Sequence, residues 1–340
     1  MSDKIIVAVD GMGGDNAPAE IVKGCVDAVN SGLNIKIKLV GLKDELLTEL
    51  SKYEYENDGI EVVNAAEIIT CEESPVNAIR RKKDSSIVVG LKLVKEKNAD
   101  AFLSAGSTGA VLVGALAIVG RIKGVERPPI ATFFPTVKGN SLLVDSGANA
   151  EARPDHLVQF AKMGSVYFEN TTGIKNPRVA IVNIGLEEEK GNQLVKETYK
   201  LLKECKDINF IGNIEAREIP NGYADVIVCD GFVGNVILKL YEGTSKALMK
   251  MIKESFYTNL RSKIGALLVK PSLKKTLKKL KSDEYGSAPL LGLNGLVLKT
   301  HGNATAKEIK NSLAQAVTFS EQKINEKIKE SIITNSQEEI

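Results

Sequence analysis

Short runs that are apolar at nearly every position recur along this chain, each ending at or beside a Gly, Asp or Asn. IIVAVDG (5–11), IKIKLVG (35–41), IEVVNA (60–65), AFLSAG (101–106), SLLVDSG (141–147), RVAIVNIG (178–185), INFIGN (208–213) and ADVIVCDG (224–231) are the clearest. A strand with one solvated face alternates apolar with polar residues. A run that is apolar throughout belongs to a strand covered on both faces, as in a mostly parallel sheet flanked by helices. Helical patterns separate the runs. Pro18 to Val29 puts Ile21, Val22, Cys25, Val26 and Val29 on one stripe, with Pro18 suited to a first turn. Gly191 to Lys203 behaves similarly through Leu194, Val195, Tyr199, Leu201 and Leu202. Strand–helix alternation of this kind predicts an α/β, doubly wound fold. The 340 residues, 43% of them apolar, can bury one large core, and there is no internal repeat or low-complexity linker. A single α/β catalytic domain spanning 1–340 is expected.

Composition removes several function classes. Lys+Arg 45 against Asp+Glu 43 leaves no basic excess, so no nucleic-acid partner is expected. The four cysteines, Cys25, Cys71, Cys205 and Cys229, stand far apart with no CxxC pair. That spacing argues against a disulfide framework or a zinc site and fits a reducing compartment. MSDKIIVAVDG reads as a strand that begins at once, not as a signal peptide, and no apolar run approaches the ~18–20 residues of a membrane span. A cytoplasmic protein is the expectation.

Ligands of an open parallel sheet bind beyond the carboxyl ends of the strands, where loops enter helix N-termini. Every glycine-rich segment here falls at such an end. DGMGGDN (10–16) offers Gly13, Gly14 and Asp15 after the first strand, and glycines let backbone amides approach an anion. Asn16 stands where a dinucleotide fingerprint places its third glycine. SAGSTGA (104–110) is the stronger signal: Gly106 and Gly109 bracket the hydroxyls of Ser107 and Thr108 ahead of an apolar helix. Such a nest suits phosphate or an oxyanion; the plainer reading of Ser107 or Thr108 is an N-cap. DSGANAE (145–151), NIGLEEEKGN (183–192) and CDGFVGN (229–235) repeat the layout. Their polar candidates are Asn149, then Lys190 with Asn192, then Asp230 and Gly231 with Asn235. Lys190 is either a solvated charge or an anion clamp held between acidic residues and a glycine. Glu187–Glu189 has no histidine beside it and matches no metal-ligand spacing, so no metal is expected.

The chain has two histidines. His156, in RPDHL, is placed at the surface in the first turn of a helix. His301, in KTHGNA, follows the strand-like run Gly295 to Leu298 and is either structural or a general base. No GxSxG elbow is present, which disfavours serine-hydrolase chemistry. The inventory is one of several anion-binding loops with no cofactor, no metal cluster and no evident covalent nucleophile. A phosphate that is itself the nucleophile fits it well.

Between Gly243 and Gly286 the strand signals stop. From Lys246 to Lys281 there are eleven basic residues and one acidic residue, Glu254. Met249, Ile252, Phe256, Leu260, Ile264 and Leu267 follow helical spacing; Pro271 is read as a break, and Leu273, Leu277 and Leu280 resume the pattern. An inserted basic amphipathic helical hairpin, 243–285, is expected, poised to meet an anionic membrane surface and a second copy of the chain. An acidic protein partner would compete for the same lysines. After Lys307 one more helix and then an acidic end are expected.

VDGMGGDNAP (9–18), RRKKDSSIV (80–88), SAGSTGA (104–110), GRIKGVERP (120–128), LLVDSGAN (142–149), PRVAIVNIGLEEEKGN (177–192), NFIGNIEAR (209–217), DGFVGNVILK (230–239), YGSAPLLGL (285–293) and KTHGNA (299–304) together resemble the bacterial phosphate acyltransferase family, often called PlsX. Each motif alone is weak; their order and spacing make the set specific. Ser107 stands where the family commonly has Asn, and Asn303 where it commonly has Ser. The resemblance implies a Rossmann-like α/β/α sandwich and a reaction of fatty acyl carrier protein with inorganic phosphate to give acyl phosphate and free carrier, early in phospholipid (phosphatidic acid) biosynthesis. It implies a homodimer attached peripherally to the inner face of the membrane, with glycerol-3-phosphate acyltransferase downstream, in direct contact or through the released product. Lys190 and the amide nests would then align phosphate, Asn235 would support the oxyanion and His301 would take a proton. A phosphotransacetylase acting on acyl-CoA would run the same chemistry. An NAD-linked dehydrogenase would want a cleaner fingerprint and an acidic residue about twenty positions on, which LVG (39–41) does not offer. A non-enzymatic membrane scaffold would leave the polar glycine loops without purpose.

Overall fold

The apolar runs become strands almost residue for residue. In the computed structural model the first stretch runs β1 (Ile5–Asp10), α1 (Ala19–Val29), β2 (Ile35–Gly41), α2 (Lys43–Leu50), β3 (Ile60–Asn64), α3 (Pro75–Arg81), α4 (Ser86–Lys95), β4 (Ala101–Ser104) and α5 (Thr108–Gly114). It continues with β5 (Ala131–Thr136), β6 (Gly139–Val144), α6 (Pro154–Thr172), β7 (Arg178–Asn183), α7 (Gln193–Glu204), β8 (Asn209–Glu215), β9 (Val226–Val228), α8 (Gly231–Tyr257) and α9 (Leu260–Lys279). The last stretch holds β10 (Ala288–Pro289), β11 (Leu296–Lys299), α10 (Ala306–Glu321) and α11 (Ile324–Ile333). The structure describes residues 4–56, 58–279 and 286–333.

The fold is mixed α/β, as expected, but the strands divide between two sheets instead of one. Six strands lie in the order β10-β11-β4-β1-β2-β3 and five in the order β5-β6-β9-β7-β8. In the first sheet β1, β2, β3, β4 and β11 pair in parallel and only β10 runs antiparallel. In the second, β6, β9, β7 and β8 are parallel. The chain correspondingly forms two units: Met1–Thr132, Lys162–Asn176 and Asp283–Ile340 in one, Phe133–Ala161 and Pro177–Ser282 in the other.

In the first unit β1, β4 and β11 are buried on both faces, through Val7 and Ala8, Phe102 and Leu103, and Val297 and Leu298, whereas β2 buries Ile37 and Leu39 on one face and holds Lys36 and Lys38 half-buried on the other. Each buried Val, Leu, Ile or Phe side chain contributes about 1.5–3 kcal/mol by leaving water. Helix α1 packs on α10 through Gly24, where an added Cβ would lie 2.5 Å from Ile309 Cβ. In the second unit Phe134, Leu143, Ala180, Ile214 and Ile227 make the core, and Val233, Ile237, Leu238 and Tyr241 of α8 pack against it. The rings of Phe134 and Tyr241 stand 4.1 Å apart and the Tyr241 hydroxyl donates to the Pro135 carbonyl at 3.1 Å. That seating fixes the rotation of α8 about its axis.

Several expectations change. Pro271 does not break the hairpin: α9 runs from Leu260 through it to Lys279. A proline removes one helical hydrogen bond, and the helix tolerates that loss here. The first arm starts at Gly231, not near Gly243, because α8 is one helix of 27 residues. Leu280 and the end of the expected hairpin at 285 lie outside the described residues. The tail is two helices, since Lys323 takes a positive φ of 52° between α10 and α11; the acidic end beyond 333 also lies outside the described residues. His156 is in the first turn of α6 as expected, but it is buried, and its Nδ1 accepts from the Arg153 amide at 3.1 Å. All four cysteines are free thiols.

Candidate functional site

Parallel pairing brings the loop candidates together at the carboxyl ends of strands, as two sets, one in each unit. In the second unit adjacent strands β6, β9 and β7 end at Val144, Val228 and Asn183. The loop after β6 carries Asn149, the loop after β7 carries Lys190 and Asn192, and β9 leads into α8 with Asp230, Gly231 and Asn235. In the first unit β1, β4 and β11 end at Asp10, Ser104 and Lys299. There the set is Gly13, Gly14, Asp15, Gly106, Ser107, Thr108, Gly109 and His301.

Three candidates are helix caps. Ser107 Oγ accepts from the Ala110 amide (3.4 Å), Asn192 Oδ1 from Val195 (3.0 Å) and Asp230 Oδ1 from Val233 (2.8 Å). A side-chain oxygen satisfying an otherwise unpaired first-turn amide is the ordinary reason for such residues before a helix. Ser107 thus has the capping role that its sequence position allowed. Asn149 is engaged elsewhere. The buried Asp145 carboxylate accepts from the amides of Gly147 and Ala148 (both 3.0 Å) and from the amide and Nδ2 of Asn149 (2.7 and 2.9 Å). The amides of this loop surround the chain's own aspartate, and four donors offset the cost of burying a carboxylate. The loop is also pressed against the start of α8. A Cβ on Gly234 would lie 1.9 Å from the Asp145 carbonyl oxygen, and one on Gly231 2.7 Å from that of Asn149.

Lys190 and Asn235 are different. Both side chains are exposed. Asn235 Oδ1 lies 3.6 Å from where a Cβ of Gly147 would stand. Among the described residues no carboxylate pairs with the Lys190 ammonium. Its acidic neighbour Glu188 instead meets Lys203 Nζ at 2.7 Å and the Tyr199 hydroxyl at 3.1 Å. The Lys203 ammonium holds the Glu188 carboxyl below its ordinary range. Burial pushes the Cys229 thiol well above its ordinary range, with Asp145 and Asp230 adding to the shift. A thiol kept protonated is a poor nucleophile.

In the first unit the loops are locked by Asp10, which sequence reading left out. Its buried carboxylate accepts from the Ser104 hydroxyl (2.7 Å) and the Met12 amide (3.2 Å), and Ser104 Oγ accepts from the Gly106 amide (2.9 Å). A Cβ on Gly13 would meet Asp10 Oδ2 at 2.3 Å and the Gly106 nitrogen at 2.7 Å. Burial pushes the Asp10 carboxyl up, against hydrogen bonds from Ser86, Ser104 and Met12 and the charge of Lys299. Gly14 has φ 99° and faces the Gly302 carbonyl, which accepts from the Asp15 amide at 2.7 Å. The Asn16 side chain donates to the carbonyls of Asn303 (3.1 Å) and Ala304 (3.4 Å). The loop after β1 is therefore tied to the loop that carries His301, whose own side chain is exposed.

A family model described as "Fatty acid synthesis protein" matches residues 5–327. A "Phosphate acyltransferase" of Alkaliphilus oremlandii is 56% identical over 326 residues, 96% of this chain and 97% of that one. The chain belongs to the phosphate acyltransferase family. It is an acyltransferase enzyme. A second "Phosphate acyltransferase", of Clostridioides difficile, is 50% identical over 333 residues, 98% of this chain and 97% of that one. A phosphotransacetylase structure from Streptococcus pyogenes shares the fold alone, with a TM-score of 0.63 at 17% identity over 95% of each chain. Among the described residues of this family member no helix is long and apolar enough to cross a membrane.

Proposed function

We propose that the protein moves a fatty acyl group from acyl carrier protein to inorganic phosphate, releasing acyl phosphate and free carrier, as an early step of phospholipid biosynthesis. The observation that carries this reading is the placing of Lys190 on the loop after β7 and of Asn235 near the start of α8, which follows the adjacent strand β9, in a phosphate acyltransferase. A phosphate oxygen attacks the thioester carbonyl, the C–O bond forms as the C–S bond breaks, and the carrier thiolate leaves and takes up a proton. Lys190 holds the phosphate charge and Asn235 donates to the carbonyl oxygen as it becomes an oxyanion. In the first unit the 13–15 and 106–109 loops are the anion-binding candidates, and His301 is the general-base candidate. Thiolate is a good leaving group, so the demand for a general acid is small.

The same proposal includes a cytoplasmic homodimer bound peripherally to anionic membrane through α8 and α9, feeding a glycerol-3-phosphate acyltransferase downstream. Leu248, Met251, Leu260, Ile264, Leu267 and Leu268 of this helix pair are exposed, beside a strong basic excess. Exposed apolar surface next to lysines suits an anionic lipid surface or a second copy.

The test is turnover of palmitoyl carrier protein with phosphate by Lys190→Ala and Asn235→Ala. Each variant should keep its folded circular dichroism and lose about a hundred- to a thousand-fold in kcat, the loss expected for an oxyanion donor. Wild-type turnover in either returns that residue to a solvated loop.

A further inference from the structure

We propose that Asn183 is a positioning residue that sets the place of Lys190, with Asn213 securing the other half of the same loop. The inference rests on the role given to Lys190 above. Asn183 ends β7 and is buried, yet neither end of its side chain faces the strand ladder. Its Oδ1 accepts from the Ile184 amide at 2.8 Å, where the loop departs, and its Nδ2 donates to the Lys190 carbonyl at 3.1 Å, where the loop returns. One side chain thus pins both feet of a loop that must project a lysine.

Three further contacts narrow the freedom of Lys190. Its amide donates to the Glu187 carbonyl at 3.2 Å. Its stem lies over Gly185, where a Cβ would stand 3.1 Å from Lys190 Cγ. Gly191 follows with φ 93°, and a Cβ there would come within 2.3 Å of Asn183 Oδ1. Only glycine lets the backbone after Lys190 turn closely enough to reach Asn183. On the neighbouring strand Asn213 Nδ2 donates to the carbonyls of Leu186 (3.2 Å) and Glu187 (2.9 Å). Asn213 Oδ1 is buried without a hydrogen-bond partner. An amide placed only to stiffen β8 would gain more by satisfying both ends. Asn183 gives both ends of its side chain to this loop and Asn213 gives its Nδ2, so each acts through the loop. Displacing a reacting group by about 1 Å can cost about a hundredfold in rate.

Asn183→Asp is the sharpest probe. Aspartate keeps the size and the acceptor for Ile184 but cannot donate to the Lys190 carbonyl. Kinetics are measured on the full chain with palmitoyl carrier protein and phosphate, alongside the thermal midpoint, in wild-type and Lys190→Ala backgrounds. In the wild-type background kcat/KM for phosphate should fall about ten- to a hundredfold while KM for the acyl donor stays within about twofold. In the Lys190→Ala background the same change should alter the residual rate by less than about twofold, because the lysine it positions is gone. Gly191→Ala should reproduce the phosphate defect. Equal losses in both backgrounds would make Asn183 independent of Lys190 and overturn the inference. So would wild-type phosphate kinetics in Asn183→Asp while Lys190→Ala is crippled. Wild-type turnover in Lys190→Ala would instead remove the lysine's role and this inference with it.

Discussion

Arg178 and Asp225 stand at the opposite, amino ends of β7 and β9. Arg178 Nε and an Nη donate to the two Asp225 oxygens at 3.0 and 2.9 Å, and the Arg178 amide donates at 2.7 Å. The fork fixes where both strands begin, and hence where the Lys190 loop and the start of α8 emerge. Burial pushes the Asp225 carboxyl up, but the hydrogen bonds and charge of Arg178 together outweigh it and hold the group below its ordinary range. A carboxyl depressed in the folded state contributes stability that is present above its unfolded pKa, about 3.9, and is lost as pH falls through the folded value. Asp225→Asn should therefore cost about 1–2 kcal/mol at pH 7, with the gap closing below about pH 4. Urea midpoints of both proteins from neutral pH downward check this; a gap that stays constant with pH would contradict it. At this scale the sequence showed which residues stand at strand ends but not what they face. Asp145 and Asn183 end apolar runs before a glycine, as substrate ligands do, and both turned out to bind their own loops. Only the folded backbone separates an aspartate that collects neighbouring amides from one that meets a ligand. His156 differs from expectation for a related reason: a histidine in a first turn is polar by type, and its burial depends on what packs over it.

Elements were more legible, because periodicity reports burial directly. The β2 run, 35–41, matches its strand to the residue. β5 is not among the apolar runs that mark the other strands: Pro135 interrupts ATFFPT, and proline argues against a central strand. β5 is in fact an edge strand of the five-stranded sheet, where a missing donor is tolerated. Pro271 is the opposite case: a proline expected to break a helix is carried in the interior of α9. The α8–α9 pair leaves Leu267 and Leu268 70% and 75% exposed. The membrane proposal belongs to these helices. Leu267→Glu with Leu268→Glu should abolish sedimentation with anionic vesicles and leave turnover of soluble acyl carrier protein within about twofold, since a buried charge is costly in lipid and harmless in water. Full sedimentation of that double variant would sink the membrane role of α9.

For the whole molecule, two units each gather polar loops at the carboxyl ends of parallel strands, in a chain that shares its fold with a Streptococcus pyogenes phosphotransacetylase. The sequence foresaw the α/β class and the loops but not the division into two sheets, since a buried parallel strand reads alike whichever sheet receives it. A shared fold does not select the chemistry; the nucleophile must be identified in the product. The most direct measurement supplies phosphate fully labelled with oxygen-18, with palmitoyl carrier protein or palmitoyl-CoA as donor, and follows the product by mass spectrometry. The expected result is acyl phosphate that retains every labelled oxygen, formed from the carrier protein thioester and absent without phosphate. Release of the acyl group as free fatty acid without phosphate, or acyl phosphate that forms only from the coenzyme A thioester, would contradict the proposed reaction.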